Sequence, residues 1–114
     1  MKIVKFEDED KFTNSNRCFG VEYALDDKDI NCSIAVIEGR YPETGFCYNE
    51  KCKELIYVIS GKGKIVLKDG SVIEFKAKDS ILINKGEVYY WDADCEALMS
   101  CVPAWYPEQH KLVE

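Results

Sequence analysis

Apolar and polar positions alternate in short runs along most of the chain. The runs are rich in β-branched and aromatic residues and are bounded by turn-forming residues, which is the pattern of β-strands. They predict strands over 18–25, 30–38, 45–49, 54–60, 63–68, 71–75, 80–83, 88–92 and 97–102. No window of helical length spaces its apolar residues three and four positions apart. The pattern therefore predicts an all-β protein.

The pair Asp69-Gly70 lies between the runs 64–68 and 71–75 and marks a turn. Such a pair supplies the positive φ angles of a tight hairpin, so we expect these two strands to be neighbours. Many short strands at near-regular spacing are typical of a sandwich or a barrel. A chain of 114 residues is long enough for one such domain and too short for two.

Composition and charge exclude two classes of partner. The 15 Lys and Arg residues are scattered among 21 Asp and Glu, with a net charge of −6. Nucleic-acid phosphates require basic residues gathered on one face, so we expect no nucleic-acid partner. No run approaches the roughly 18 apolar residues that span a bilayer, and residues 1–10 lack the apolar core of a secretion signal. We expect a cytoplasmic protein with no membrane partner.

The six cysteines are expected to be thiols, because disulfides are rare in the cytoplasm. Cys47 and Cys52 are separated by four residues, and Cys95 and Cys101 by five. Structural zinc sites typically present two cysteines with two residues between them, and neither pair has this spacing. Buried free thiols are therefore the preferred interpretation.

The segment from Cys47 to Gly63 carries the first family resemblance. An apolar strand runs from Glu54 into Gly61-Lys62-Gly63, and six residues separate Glu54 from Gly61. This resembles the first motif of the cupin family, in which two histidines flank one residue before a glutamate and a glycine. Glu54 and Gly61 occupy the glutamate and glycine positions. Cys47 and Asn49 fall on the two histidine positions.

The segment 78–89 resembles the second cupin motif, an apolar strand that leads into a Pro-x-Gly turn and a histidine. Asn84 stands at the proline position and Tyr89 at the histidine position. The resemblance covers about residues 35–102. It implies a single domain over 1–114 that forms a double-stranded β-helix, the cupin jelly-roll barrel, with its core at about 17–102. It further implies a homodimer, with segment 103–114 packed on the barrel or on the partner.

The replaced histidines make metal binding the less favoured interpretation. In metal-binding cupins, three histidines and the glutamate hold the ion. Here Glu54 is the only routine ligand, because an amide binds transition metals weakly and a phenol must first lose a proton near pH 10. We expect no cofactor. A divergent metalloenzyme that uses Glu54, Cys47 and either Tyr89 or His110 to hold a divalent metal is the alternative.

The remaining chemistry centres on Glu54 and Tyr89. A carboxylate inside a barrel with no cation is costly, so the pKa of Glu54 should be raised, and Glu54 and Tyr89 are candidate catalytic groups. We expect a small-molecule pocket lined by Cys47, Asn49, Glu54, Tyr89 and Trp91. A binding module for a sugar-like or carboxylate ligand is preferred to a metal-free isomerase, epimerase or lyase that uses Glu54 and Tyr89 as acid and base.

The C-terminal segment gives a weaker signal. Its prolines, Pro103 and Pro107, argue against a regular central strand. Trp105 and Tyr106 are expected to pack over one end of the barrel or in a subunit contact. His110 could reach the pocket mouth as a second acid–base group, but a histidine near a terminus is more often solvated, and we expect that here.

Overall fold

The computed structural model describes all 114 residues and contains nine β-strands and two single turns of 3-10 helix. The 3-10 turns lie at Phe6–Asp8 and Pro107–Gln109. None of its helices has the length and apolar character needed to cross a membrane. The strands are β1 Asp10–Ser15, β2 Cys18–Tyr23, β3 Asn31–Tyr41, β4 Phe46–Asn49, β5 Lys53–Leu67, β6 Val72–Lys76, β7 Ser80–Ile83, β8 Tyr89–Val102 and β9 His110–Val113.

Strand β8 is the centre of the sheet. It pairs with β3 along one edge, from Asn31 opposite Cys101 to Tyr41 opposite Trp91. Along its other edge it pairs with β5. Strands β2 and β1 extend the β3 side, β6 and β7 pair with different halves of β5, and β9 pairs with β4. All the pairs are antiparallel, and the sheet curls into a jelly-roll barrel, which confirms the predicted fold class.

The two long strands correct the predicted boundaries. The runs 54–60 and 63–68 belong to one strand, β5, and the runs 88–92 and 97–102 to another, β8. The Gly-x-Gly segment that suggests a break instead lets β5 lie close to β8. A Cβ atom on Gly61 would lie 2.0 Å from the Asp94 carbonyl oxygen, and one on Gly63 would lie 2.3 Å from the Ala93 Cβ. The register shift between Val58 and Ser60 bends the strand without ending it.

The hairpin at Asp69-Gly70 joins β5 to β6 as predicted, but the turn is wider than a two-residue loop. Gly70 has a φ of +94°, whereas Asp69 does not adopt positive φ. The Asp69 carboxylate instead accepts hydrogen bonds from the Ser71 amide at 2.8 Å and the Ser71 hydroxyl at 2.6 Å. An aspartate side chain therefore closes this turn together with the glycine.

Period-2 alternation builds the core from inward-facing residues of the strands β2 to β8. Along β5, Ile56 and Val58 are fully buried while Leu55 and Tyr57 face outward. Phe75 and Trp91 meet edge to face inside, with ring centroids 5.6 Å apart. Each buried side chain of this size contributes about 1.5–3 kcal/mol. The filled core leaves one region of the interior open, beneath β1 and β2.

Candidate functional site

A cavity of about 80 Å³ lies between the inner faces of β1, β2, β3 and β8 and the C-terminal segment. This volume has room for several water-sized groups and therefore for a small polar molecule. A larger depression, about 790 Å³, lies between Arg17, Lys62 and Asp92. It is open to solvent and lined mainly by charged side chains with none of the buried groups of chemical interest. We therefore place the site in the smaller cavity, which is the more sheltered of the two.

Glu54 lines this cavity because strand alternation turns it inward next to Ile56. It is 7% exposed. The Asn49 amide donates a 2.7 Å hydrogen bond to its Oε1 atom. Burial raises the pKa of Glu54, as predicted, and the hydrogen bond from Asn49 opposes this effect. The site therefore holds a carboxyl group that favours its protonated form more than a surface glutamate does.

Tyr89 lines the same cavity and lies opposite Cys47 where β4 meets β8. Burial raises the pKa of Tyr89 well above its ordinary value, so the phenol keeps its proton. Strand pairing keeps the Cys47 thiol next to Tyr89. Burial raises the pKa of Cys47 to about 12, so this thiol remains protonated and is a poor nucleophile.

Two of the five predicted ligand contacts lie behind the cavity wall. Glu54, Tyr89 and Trp91 line the cavity, whereas Cys47 and Asn49 do not and are fully buried. Cys47 is buried where β4 pairs with β8 at Tyr89, and Asn49 uses both ends of its amide on other side chains. Cys47 and Asn49 therefore support the groups that face the cavity and do not themselves contact it.

His110 is not solvated, contrary to the expectation for a histidine near a terminus. It lines the cavity, and burial lowers its pKa. Its Nε2 atom lies 2.9 Å from the Tyr41 hydroxyl oxygen, and the two rings stack with centroids 6.1 Å apart. The C-terminal segment reaches this position because β9 pairs with β4, placing His110 opposite Asn49.

Sequence reasoning missed much of the cavity lining, and three of the missed residues matter most for its chemistry: Tyr41, Trp105 and Gln109. Tyr41 and Trp105 line the cavity, and Gln109 is 1% exposed in the adjacent network. Alternation from Ile37 through Gly39 to Tyr41 would have turned Tyr41 inward, had the third predicted strand been extended past residue 38. No local pattern identifies Gln109, since its partners lie more than fifty residues away.

The positions at which metal-binding cupins have ligands do not form a ligand set here. Asn49 directs its amide nitrogen, which cannot bind a cation, toward Glu54. The thiol of Cys47 and the phenol of Tyr89 both have raised pKa values and hold their protons. No group of three or more His, Cys, Asp or Glu side chains is placed to hold a metal ion. All six cysteines are free.

Comparison with known proteins identifies the fold independently. The model of the EutQ-like cupin domain family matches residues 35–97. No curated protein matches the chain significantly. Among solved structures, a histidine-to-glutamine variant of Streptomyces Pac13, a nucleoside dehydratase, in complex with uridine has a TM-score of 0.84 at 18% identity, covering 96% of this chain and 88% of that one.

Two other enzymes share the architecture. The polyketide cyclase RemF from Streptomyces resistomycificus has a TM-score of 0.72 at 18% identity, with 100% of this chain and 86% of that one covered. Ectoine synthase from P. lautus has a TM-score of 0.70 at 13% identity, with 90% and 80% covered. At these identities the likeness concerns the fold.

Proposed function

The chain belongs to the family of EutQ-like cupin domains, and from that premise we propose that it binds a small molecule in the cavity beside Glu54 and Tyr89 without a metal ion. The observation that carries the proposal is the carboxyl group of Glu54, buried against the cavity with an amide as its hydrogen-bond partner. A polar group in that position is stabilised when a ligand offers it a further hydrogen bond.

The charge of the cavity favours an uncharged ligand over a carboxylate. Two carboxyl groups, Glu22 and Glu54, line it together with aromatic and small polar residues, and no Lys or Arg side chain does. An anion would enter without a cationic partner and would lose its hydration, which is costly. The charge of the lining suits an uncharged, polyhydroxylated molecule such as a sugar or nucleoside better, and the fold neighbour Pac13 is seen with uridine.

Metal independence is supported by the chemistry of the replaced positions. The amide of Asn49 acts as a neutral donor to Glu54, where an imidazole in a metal-binding cupin would act as a ligand. A metal of ordinary affinity needs three or four donors of suitable type. Elemental analysis of the purified protein should therefore find no stoichiometric iron, zinc or manganese, and tightly bound metal at one equivalent would favour the divergent metalloenzyme.

A metal-free isomerase, epimerase or lyase is the second candidate. It is favoured by the raised pKa of Glu54 next to a protonated phenol, Tyr89, in one cavity. In such a pair the carboxyl group can exchange a proton with a bound molecule, while the phenol stays protonated and donates a hydrogen bond to it. Pac13, a nucleoside dehydratase, and RemF, a polyketide cyclase, have the same fold, so this architecture accommodates reactions on small molecules.

We also propose that the protein is a homodimer that pairs through the outer face of β5 and its neighbours. Leu55 is 56% exposed, Tyr57 45% and Leu82 55%. Leu55 lies opposite Leu82, and Tyr57 lies opposite Leu98 on β8, so these apolar side chains are adjacent on one face. An exposed apolar patch on a sheet is typical of a subunit contact. A second copy of the chain, related by a two-fold axis, would cover it.

Thermal-shift screening of EDTA-treated protein against nucleosides, sugars, their phosphates and small carboxylates tests the binding proposal. We expect uncharged compounds to stabilise the protein more than their phosphates. The Glu54→Gln and Tyr89→Phe variants should weaken binding at least about tenfold, or ~1.4 kcal/mol. Glu96→Gln, on the outer face of β8, serves as the matched control. Equal binding by all three variants, or binding that requires added metal, would refute the proposal. Each compound that binds is then assayed for turnover.

A further inference from the structure

Gln109 and His110, where the second 3-10 turn meets β9, take no part in the function proposed above, yet both enter the polar network behind Glu54. Gln109 is 1% exposed, and His110 lines the cavity. Buried polar groups are almost always hydrogen-bonded. Each hydrogen bond in such a network assigns a donor to one atom and an acceptor to the other, so the orientation of the whole network can be deduced step by step.

The backbone fixes the first step. The amides of Lys51 and Cys52 both donate to one atom of the Gln109 side chain, each at 3.2 Å. A backbone N–H can only donate, so this atom must be the carbonyl oxygen, Oε1. The Gln109 amide nitrogen then faces Asn49, 3.0 Å from Oδ1. The orientation of Gln109 is therefore set by the turn that connects β4 to β5.

Asn49 transmits this orientation to the histidine. Its Oδ1 atom accepts from Gln109 and also lies 3.0 Å from His110 Nδ1, while its nitrogen donates to Glu54. A carbonyl oxygen only accepts, so Nδ1 of His110 must carry the hydrogen. A neutral imidazole has one such hydrogen, which leaves the lone pair on Nε2. Burial, which lowers the pKa of His110, favours this neutral form.

The Nε2 atom of His110 lies 2.9 Å from the Tyr41 hydroxyl oxygen. Because Nε2 carries only a lone pair, the Tyr41 hydroxyl group donates this hydrogen bond. Both side chains line the cavity together with Glu54 and Tyr89. Trp105 also packs against the imidazole, with ring centroids 5.9 Å apart and the ring planes tilted by 48°. Aromatic neighbours at this distance stabilise an imidazolium ion if one forms.

We propose that Tyr41 and His110 form a catalytic acid–base pair in the cavity, and that Asn49 and Gln109 are positioning residues that hold His110 in its Nδ1–H tautomer. This inference rests on the proposed function in one respect, namely that the ligand occupies this cavity. It assigns to the C-terminal segment a chemical role that the Glu54–Tyr89 pair does not fill.

The proton transfer balances within the pair. As the Tyr41 oxygen takes a proton from the bound molecule, the hydroxyl hydrogen of Tyr41 passes to Nε2 of His110. The products are a deprotonated ligand and an imidazolium ion whose Nδ1–H still donates to Asn49. The reverse transfer returns one proton to the ligand at the same or another atom, so an isomerisation or an elimination leaves the pair unchanged.

His110 is the only histidine in the chain, so nitrogen-15 NMR reports its tautomer without resonance assignment. At pH 8.5 we expect the wild-type protein to show the Nδ1–H form, although free histidine favours the Nε2–H form. The Nε2–H form, or a rapidly exchanging mixture, would overturn the proposal. This measurement needs no ligand, so it succeeds or fails independently of the proposed function.

The Gln109→Glu variant tests the positioning role. The new carboxylate keeps an acceptor for the two backbone amides but offers Asn49 an oxygen in place of a donor. The Asn49 amide should then rotate by half a turn and present its nitrogen to His110, which converts the imidazole to the Nε2–H form. Tyr41→Phe is the control, since it should retain Nδ1–H. An unchanged tautomer in Gln109→Glu would refute the positioning role.

The catalytic role of Tyr41 and His110 is tested by measuring turnover of any compound from the thermal-shift panel that the protein converts. Removing one acid–base group typically slows catalysis about 10²–10⁴-fold, so Tyr41→Phe and His110→Gln should each lower kcat by this factor with little change in KM. Undiminished kcat would refute the catalytic role. Binding of panel compounds without any conversion would also refute the catalytic role. The positioning role would still be tested separately by the tautomer measurement.

Discussion

Asn49 and Glu54, five residues apart, are joined across the turn between β4 and β5 by a 2.7 Å hydrogen bond inside the barrel. Asn49 occupies a position where metal-binding cupins carry an imidazole ligand. Its neutral amide satisfies one oxygen of the carboxyl group but brings no positive charge. Glu54 is therefore buried with a hydrogen-bond donor and without a counter-ion, and the most direct consequence concerns its proton.

Glu54 should make the protein less stable as the pH rises. Its pKa is raised on folding from an ordinary value of 4.5, so the folded state retains a proton that the unfolded state releases. That stabilisation is complete below pH 4.5 and is lost as the pH rises through the folded-state pKa. Glu54→Gln keeps an acceptor for Asn49 and has no proton to lose. We expect its Tm to exceed that of the wild type by a few degrees at pH 8.

Thermal unfolding between pH 4.5 and 8 measures this difference. A change of about 1 kcal/mol in the free energy of unfolding shifts the Tm of a domain of this size by roughly 4–8 °C, so the expected difference is measurable. Glu96→Gln, which removes an exposed carboxylate, should follow the wild-type curve. A Tm difference between Glu54→Gln and wild type that does not change with pH would contradict the assignment.

The fold and the inward position of Glu54 could be predicted from local patterns, whereas half of the site could not. The resemblance to the two cupin motifs, together with strand alternation, implies where Glu54 and Tyr89 lie on their strands. The approach of His110 to Asn49 depends on the pairing of β9 with β4, across 61 positions of sequence. No turn signal encodes such a pairing. Strand β1 was missed because its single apolar residue, Phe12, stands among polar ones.

Asn49→Asp should destabilise the protein, and increasingly so at higher pH. The substitution is isosteric, but it replaces the donor to Glu54 with a second carboxylate oxygen at about the same position. Two adjacent carboxylates cannot both ionise without strong repulsion, so one must hold a proton. We expect a loss of about 2–4 kcal/mol at pH 8 and less at pH 5.5, measured by urea unfolding. Asn84→Asp, in an exposed turn, is the control, and equal losses in both variants would contradict the network.

Alanine substitutions at Gly61 and Gly70 distinguish the stability cost of backbone strain from the cost of a steric overlap between strands. Both have positive φ, +87° and +94°. A Cβ on Gly61 would overlap the Asp94 carbonyl oxygen, whereas nothing lies within 4 Å of one on Gly70. Gly70→Ala should cost about 1–2 kcal/mol, from backbone conformation alone. Gly61→Ala should cost about 1–3 kcal/mol more, since β5 must move away from β8. Similar unfolding free energies for both would show that the strands are not in close contact here.

The dimer proposal predicts that a charge on the outer face of β5 yields a monomer. Leu55 and Tyr57 point away from the core, so Leu55→Lys and Tyr57→Lys should leave the barrel folded. Burying a new ammonium group in an apolar contact is costly, and by two-fold symmetry each substitution acts twice. We expect sedimentation to show a dimer for the wild type and a monomer for the double variant at the same concentration. Lys68→Glu, in the exposed hairpin turn, should remain dimeric. A wild type that sediments as a monomer at all concentrations would exclude this interface, and a double variant that remains dimeric would place the contact elsewhere.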